Sequence, residues 1–201
     1  MSFHPLMVYD SEHFHKSERA RLDEGGPFVF TPERRANLDD ILTKYPPDQK
    51  RSAVLAALYL AQEQQGYLTA GGMRHVASIL DMTPAEVEDV ATYYVMFFRA
   101  PVGKFVLQVC RTLSCALNGA ERVTEALSEK LGIKLGETDP SGMFTLLEFE
   151  CLGACDRAPI VMVNNEHWHE KATPESCSKL VDDIKARGAE AFSGCHLRVE
   201  K

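Results

Sequence analysis

The sequence predicts an α+β protein: a helical bundle over residues 31–100, then a mixed α/β domain over 101–188, with an arm (1–30) before and a tail (189–201) after. Three observations carry this. Through the first half, apolar residues such as Val54, Leu55, Leu58 and Ala61 recur at helical spacing. At Pro101-Val102-Gly103 the period changes, and strand-like runs such as K-F-V-L-Q-V begin. Finally, cysteines stand in two tight pairs, C-R-T-L-S-C (Cys110, Cys115) and C-L-G-A-C (Cys151, Cys155), each just after a β-branched and aromatic run.

The first thirty residues have weak periodicity and read as an extended arm or short helix followed by a linker. Thr31 is an N-cap with Pro32 at the first helical position, and that helix stops before Pro46-Pro47. A second helix is expected over about 48–65, closed by Gly66, and a third over 73–80. Thr83-Pro84-Ala85-Glu86 reads as a capping box that opens a fourth. Short connectors make these a small bundle.

In the second half, 104–109 reads as a strand that runs straight into the first cysteine pair. A single helix follows over 115–131, with Ala116, Val123, Leu127 and Leu131 inward and Gly132 after its end. Residues 144–149 and 159–163 are strands, and Asn164-Asn165 turns into a short fourth near Trp168. Thr173-Pro174-Glu175 caps a last helix that ends at about Arg187. The order β-α-β-ββ-α fits a thioredoxin-like sheet, with a βαβ crossover for its parallel pair and a hairpin plus closing helix for the rest. The C-L-G-A-C loop stands where thioredoxins carry a middle helix. Pro159 sits where such a fold often places a cis-proline.

A formal net charge of −7 argues against nucleic-acid binding, which needs a basic face. No stretch is long and apolar enough to span a bilayer, and the first residues carry neither a secretory nor an organelle signal. A cytoplasmic protein is expected. There its six cysteines point to metal or redox chemistry rather than a disulfide framework.

Two irons bridged by sulfide take two thiolates each, and two cysteine pairs supply them. On that reading Cys110 and Cys115 hold one iron, and Cys151 and Cys155 the other. Neighbouring parallel strands end at one sheet edge, so pairs far apart in sequence can converge there. A structural zinc site also takes four cysteines, usually on shorter C-x2-C knuckles. A thioredoxin-type dithiol needs C-x-x-C at a helix start, which is absent. The spacing favours a [2Fe-2S] cluster and leaves zinc as the alternative. Gly153 suits a close approach of N–H groups to sulfur. The hydroxyls of Thr112 and Ser114, and the charges of Arg111 and Arg157, can act on the pairs in the same sense.

Cys177 reads as a small buried hydrophobe. Cys195 with His196, and the pairs His13/His15 and His167/His169, invite a metal reading, although surface or hairpin roles fit them better. Tyr93-Tyr94-Val95-Met96-Phe97-Phe98 reads as core, with aromatics left over for a partner. No G-x-G-x-x-G, catalytic triad or paired catalytic carboxylate is present. A redox centre without a substrate pocket must exchange electrons through neighbours.

The segments C-R-T-L-S-C-A-L-N-G-A and E-C-L-G-A-C-D-R-A-P-I-V-M-V-N resemble the E subunit family of bacterial NADH:quinone oxidoreductase, respiratory complex I. R-S-A-V-L-A-A-L-Y-L-A-Q-E-Q-Q-G-Y-L and V-A-T-Y-Y-V-M-F-F-R-A-P-V-G-K resemble its helical N-terminal part, so the likeness runs over about 45–187. It implies a thioredoxin-like ferredoxin with one [2Fe-2S] cluster on Cys110, Cys115, Cys151 and Cys155. It also implies an FMN- and NADH-binding F subunit as partner, other peripheral-arm subunits, and a place on the cytoplasmic face of the inner membrane. Similar subunits occur in NAD-reducing hydrogenases and NAD-dependent formate dehydrogenases. A zinc-stapled assembly module is the alternative from another class.

Overall fold

The structure is a computed structural model that describes residues 23–192. Cys195, His196, His13 and His15 lie outside the described residues. The chain forms two compact units that divide between Pro101 and Val102.

The first unit is helical: α1 (Pro32–Leu42), a 3-10 segment (Pro47–Ala53), α2 (Val54–Gln65), α3 (Ala70–Leu80) and α4 (Pro84–Tyr93). Threonines start three of these helices. The hydroxyls of Thr31, Thr69 and Thr83 accept from the N–H groups of Arg34, Gly72 and Glu86, each cap contributing about 1 kcal/mol. Thr83 and Glu86 complete the expected capping box. Leu38, Leu58, Leu68, Met73, Val76, Leu80 and Val87 fill the core.

Three features differ from the sequence expectations. The helix expected over 48–65 is broken, with Gln49 at φ −115°. Between Pro47 and Ala53 only Ala53 is buried, so no apolar face holds that stretch in α-helical register until Val54. Helix α3 starts at Ala70 rather than Met73, because residues 23–26 serve its first turn. The N–H groups of Ala70 and Gly71 donate to the carbonyls of Asp23 and Glu24 at 2.9 and 3.0 Å, satisfying donors that a helix start leaves unpaired. A Cβ on Gly71 would sit 2.6 Å from the Gly26 carbonyl oxygen, so glycine permits the close approach that its low helix propensity conceals. The end of the expected arm is thus part of this unit. Phe28 and Phe30 are buried in its core, their rings edge-on to His75 at 5.6 and 5.3 Å.

The run from Tyr93 to Phe98 is not core throughout. Phe97 is buried, but Tyr93 is 79% exposed and Val95 53%, because α4 ends at Tyr93 and the chain leaves the helix face.

The second unit carries β1 (Phe105–Cys110), α5 (Leu113–Leu117), α6 (Ala120–Leu131), β2 (Phe144–Phe149), a 3-10 turn (Cys155–Arg157), β3 (Val161–Val163), β4 (His167–His169) and α7 (Pro174–Arg187). The sheet order is β2-β1-β3-β4. Strands β1 and β2 are parallel, and β3 pairs antiparallel with both β1 and β4. This is the thioredoxin-like arrangement expected from the element order. Phe105, Leu107, Val123, Leu127, Phe144, Leu146, Val161, Val181 and Ile184 form its core.

The single helix expected over 115–131 is two helices, broken where Gly119 takes φ +93°. Val123 and Leu127 face inward as expected, while Ala116 and Leu131 are only partly buried. Strand β3 starts at Val161, two residues after Pro159, whose missing N–H suits a strand entry. The Ala158–Pro159 bond is cis. Asn164 and Asn165 both have positive φ (55° and 59°), the geometry of a tight hairpin turn, and Asn164 Oδ1 accepts from Val106 N–H at 2.7 Å. No helix among the described residues is long and apolar enough to cross a membrane.

Gly71→Ala sets about 1 kcal/mol of helix propensity gained against about 1–3 kcal/mol of overpacking. The obstacle is a backbone carbonyl and not a flexible side chain, so overpacking wins. Urea unfolding should show the variant less stable by about 1–2 kcal/mol; equal or greater stability would mean that residues 23–26 yield freely.

Candidate metal centre

Parallel pairing builds the site. Cys110 is the last residue of β1 and lies opposite Phe149, the last of β2, and Arg111 N–H donates to the Phe149 carbonyl at 2.9 Å. The two chain segments therefore leave the sheet side by side. One runs through α5, which carries Cys115, and the other runs through the C-L-G-A-C loop. The segment just before β3 closes the third side, where Cys110 N–H donates to the Ile160 carbonyl at 3.0 Å and the Ile160 N–H reaches the Cys115 sulfur.

The thiols stand in the pairs that the sequence suggests. Cys151 Sγ and Cys155 Sγ are 3.7 Å apart. Two thiolates bound at about 2.3 Å to one tetrahedral metal would stand about 3.8 Å apart, so this pair is spaced to share one. The sulfurs of Cys110 and Cys115 are within hydrogen-bond reach of each other. Among the described residues, no three His, Cys, Asp or Glu side chains gather about one point as a single ion needs. The pairs differ in environment: Cys110 and Cys115 are buried, Cys151 and Cys155 exposed.

Donors surround the sulfurs. Gly153, at φ +79°, turns its N–H to Cys151 Sγ at 3.4 Å. Thr112 Oγ1 lies 3.1 Å from Cys110 Sγ, and the Ser114 hydroxyl reaches Cys155. Residue type and spacing anticipate these. They do not reveal the N–H groups of Leu152, which serves Cys110, and Ile160, which serves Cys115, because a backbone donor leaves no mark in residue type. Burial raises the Cys110 thiol, but the Thr112 and Leu152 donors outweigh it and hold it below the usual thiol range. Burial and the neighbouring Cys110 push Cys115 up to about 11. In the exposed pair the Gly153 N–H lowers Cys151, and the Cys151 sulfur raises Cys155.

The two arginines beside the pairs are held by carboxylates. Arg111 is ion-paired with Glu150 at 2.6 Å, and Arg157 with Glu170 at 2.7 Å and Asp156 at 3.5 Å. Each guanidinium faces a carboxylate that offsets part of its charge. His167 stacks on Phe192 with ring centroids 4.5 Å apart, and His169 Nε2 lies 2.9 Å from Ser176 Oγ; both serve the hairpin and its contacts. Cys177 is buried in the core, as expected, and burial pushes its thiol up to about 11.

A sheet of this order with paired thiols at one edge defines a class. A family model described as thioredoxin-like [2Fe-2S] ferredoxin matches residues 38–185, and the chain belongs to that family. Its relatives include proteins named as the E subunit of NADH-quinone oxidoreductase. The one from Rickettsia bellii is 42% identical over 79% of this chain and 95% of its own length. The one from Rickettsia felis is 43% identical over 78% and 93%. Among solved structures, an NAD+-reducing [NiFe]-hydrogenase in the H2-reduced state aligns with TM-score 0.57 and 18% identity, over 67% of this chain and 22% of that one. At that identity the likeness is one of fold.

Thiol alkylation of the cluster-free, reduced protein at pH 8 should modify Cys151 first, since it is both exposed and the more acidic of its pair. Cys177 should stay unmodified until the chain unfolds. Mass spectrometry of timed samples checks this; early labelling of Cys177 would contradict the packing of α7. Because the Cys177 pKa is raised by folding, its stabilisation is complete below about pH 9, the unfolded value, and is lost as pH rises towards about 11.

Proposed function

We propose that the chain is an electron-transfer subunit of an NADH:quinone oxidoreductase, holding one [2Fe-2S] cluster on Cys110, Cys115, Cys151 and Cys155. One observation carries the reading: two thiol pairs, the exposed one with its sulfurs 3.7 Å apart, meet at one edge of a parallel strand pair. When bound, such a cluster accepts and returns a single electron.

The chain's own residues do the rest. Cys110 and Cys115, both buried, would hold one iron. Cys151 and Cys155 would hold the other from an exposed loop, the side from which a partner can approach. The N–H groups of Gly153, Leu152 and Ile160 supply fixed dipoles at the sulfurs, which stabilise negative charge there. The partner that this reading calls for is an NADH- and FMN-binding F subunit. Its flavin would supply the two-electron chemistry with NADH. Other peripheral-arm subunits and the cytoplasmic face of the inner membrane follow from membership of such a complex.

Anaerobic reconstitution should yield about two irons and two sulfides per chain, with visible absorption when oxidised and an EPR signal on reduction. Cys115→Ala removes a buried ligand and should abolish the signal. Zinc without sulfide would overturn the reading. Co-purification with flavin- and quinone-reducing subunits, rather than with a hydrogenase or formate dehydrogenase, tests the assignment of the complex.

A further inference from the structure

Thr112 occupies the N-cap position of α5, yet its hydroxyl makes no capping hydrogen bond. Thr31, Thr69, Thr83 and Thr173 also stand at helix starts, and each accepts from the N–H three residues on. Backbone geometry does not explain the difference. Thr112 has φ −78° and ψ 169°, close to the φ −77° and ψ 151° of Thr83. Instead its Oγ1 lies 3.1 Å from Cys110 Sγ and also reaches Cys151, a member of the other pair. A capping hydroxyl spends its oxygen as an acceptor; a hydroxyl against sulfur can spend its hydrogen as a donor.

We propose that Thr112 is a positioning residue for electron transfer: its hydroxyl donates to Cys110 Sγ and so raises the reduction potential of the centre. This rests on the ligand assignment proposed above. A hydrogen bond to a metal-bound thiolate strengthens as negative charge arrives, because a charged acceptor binds the donor more tightly. Reduction is therefore favoured over oxidation by the difference between the two strengths. The backbone donors act in the same sense, but they belong to the loop itself. Thr112 is a side-chain donor, so it can be removed without altering the chain path.

The test is a redox titration of the reconstituted full chain, followed by absorption and EPR, for wild type, Thr112→Val, Thr112→Ala and Thr112→Ser. Val and Ala should shift the reduction equilibrium towards the oxidised form by about five- to tenfold, tenfold being about 59 mV for a one-electron couple. Ser, which keeps the hydroxyl and drops the methyl, should titrate within about twofold of wild type. Unchanged potentials in Val and Ala, or a Ser variant displaced as far as Ala, would overturn the proposal. Should Val fail to hold a cluster, the Ala–Ser pair decides. A wild-type chain that takes up no iron and sulfide overturns both this proposal and the ligand assignment. A loaded wild type with an identical Thr112→Ala titration overturns this one alone.

Discussion

Everything at the metal centre follows from the pairing of β1 with β2. Because the strands are parallel and in register to their last residues, Cys110 against Phe149, two loops far apart in sequence emerge at one edge and run together. An antiparallel pair would have sent them to opposite ends of the sheet. Parallel pairing requires a crossover, here α5 and α6, and the crossover must begin at the site itself. Helix α5 does so within three residues of the end of β1, which is why Cys115 returns under Cys110 rather than leaving with the chain.

The resulting centre is asymmetric. One pair is sealed between α5, β1 and Ile160; the other lies on a loop open to solvent. Burial alone would disfavour negative sulfur in the inner pair, as the raised Cys115 thiol shows. Donors offset this at Cys110, whose thiol lies below its usual range despite burial. The two arginines beside the pairs are ion-paired with Glu150, Glu170 and Asp156. Oriented dipoles at the sulfurs and the charges of the neighbouring thiols together set the local field.

Much of this is legible in the sequence. The threonine caps at 31, 83 and 173, the turn at Asn164-Asn165, the strands around the cysteines and the roles of Gly153 and Cys177 rest on interactions within a few residues, which residue type and spacing report. Sequence and structure part where a distant segment decides. Helix α3 begins early because Asp23 and Glu24 serve its first turn. Phe28 and Phe30 resemble part of an arm because the helix face that buries them lies more than forty residues on. Gly119 gives no hint that it divides α5 from α6, since a glycine inside a helical pattern does not announce its sign of φ.

Read alone, the amino-acid order settles the chemistry on offer: thiols in two pairs, each pair within one short loop, together with the hydroxyls and glycine that flank them. These are local quantities, set by how far a few residues can reach. Folding adds that the pairs meet, that one is buried and the other exposed, and that Thr112 turns its hydroxyl to sulfur instead of to its own helix. Those outcomes depend on which strand lies beside which and on what packs over the edge. Strand register and burial are properties of the assembled sheet, and no window of sequence contains both of the partners that fix them.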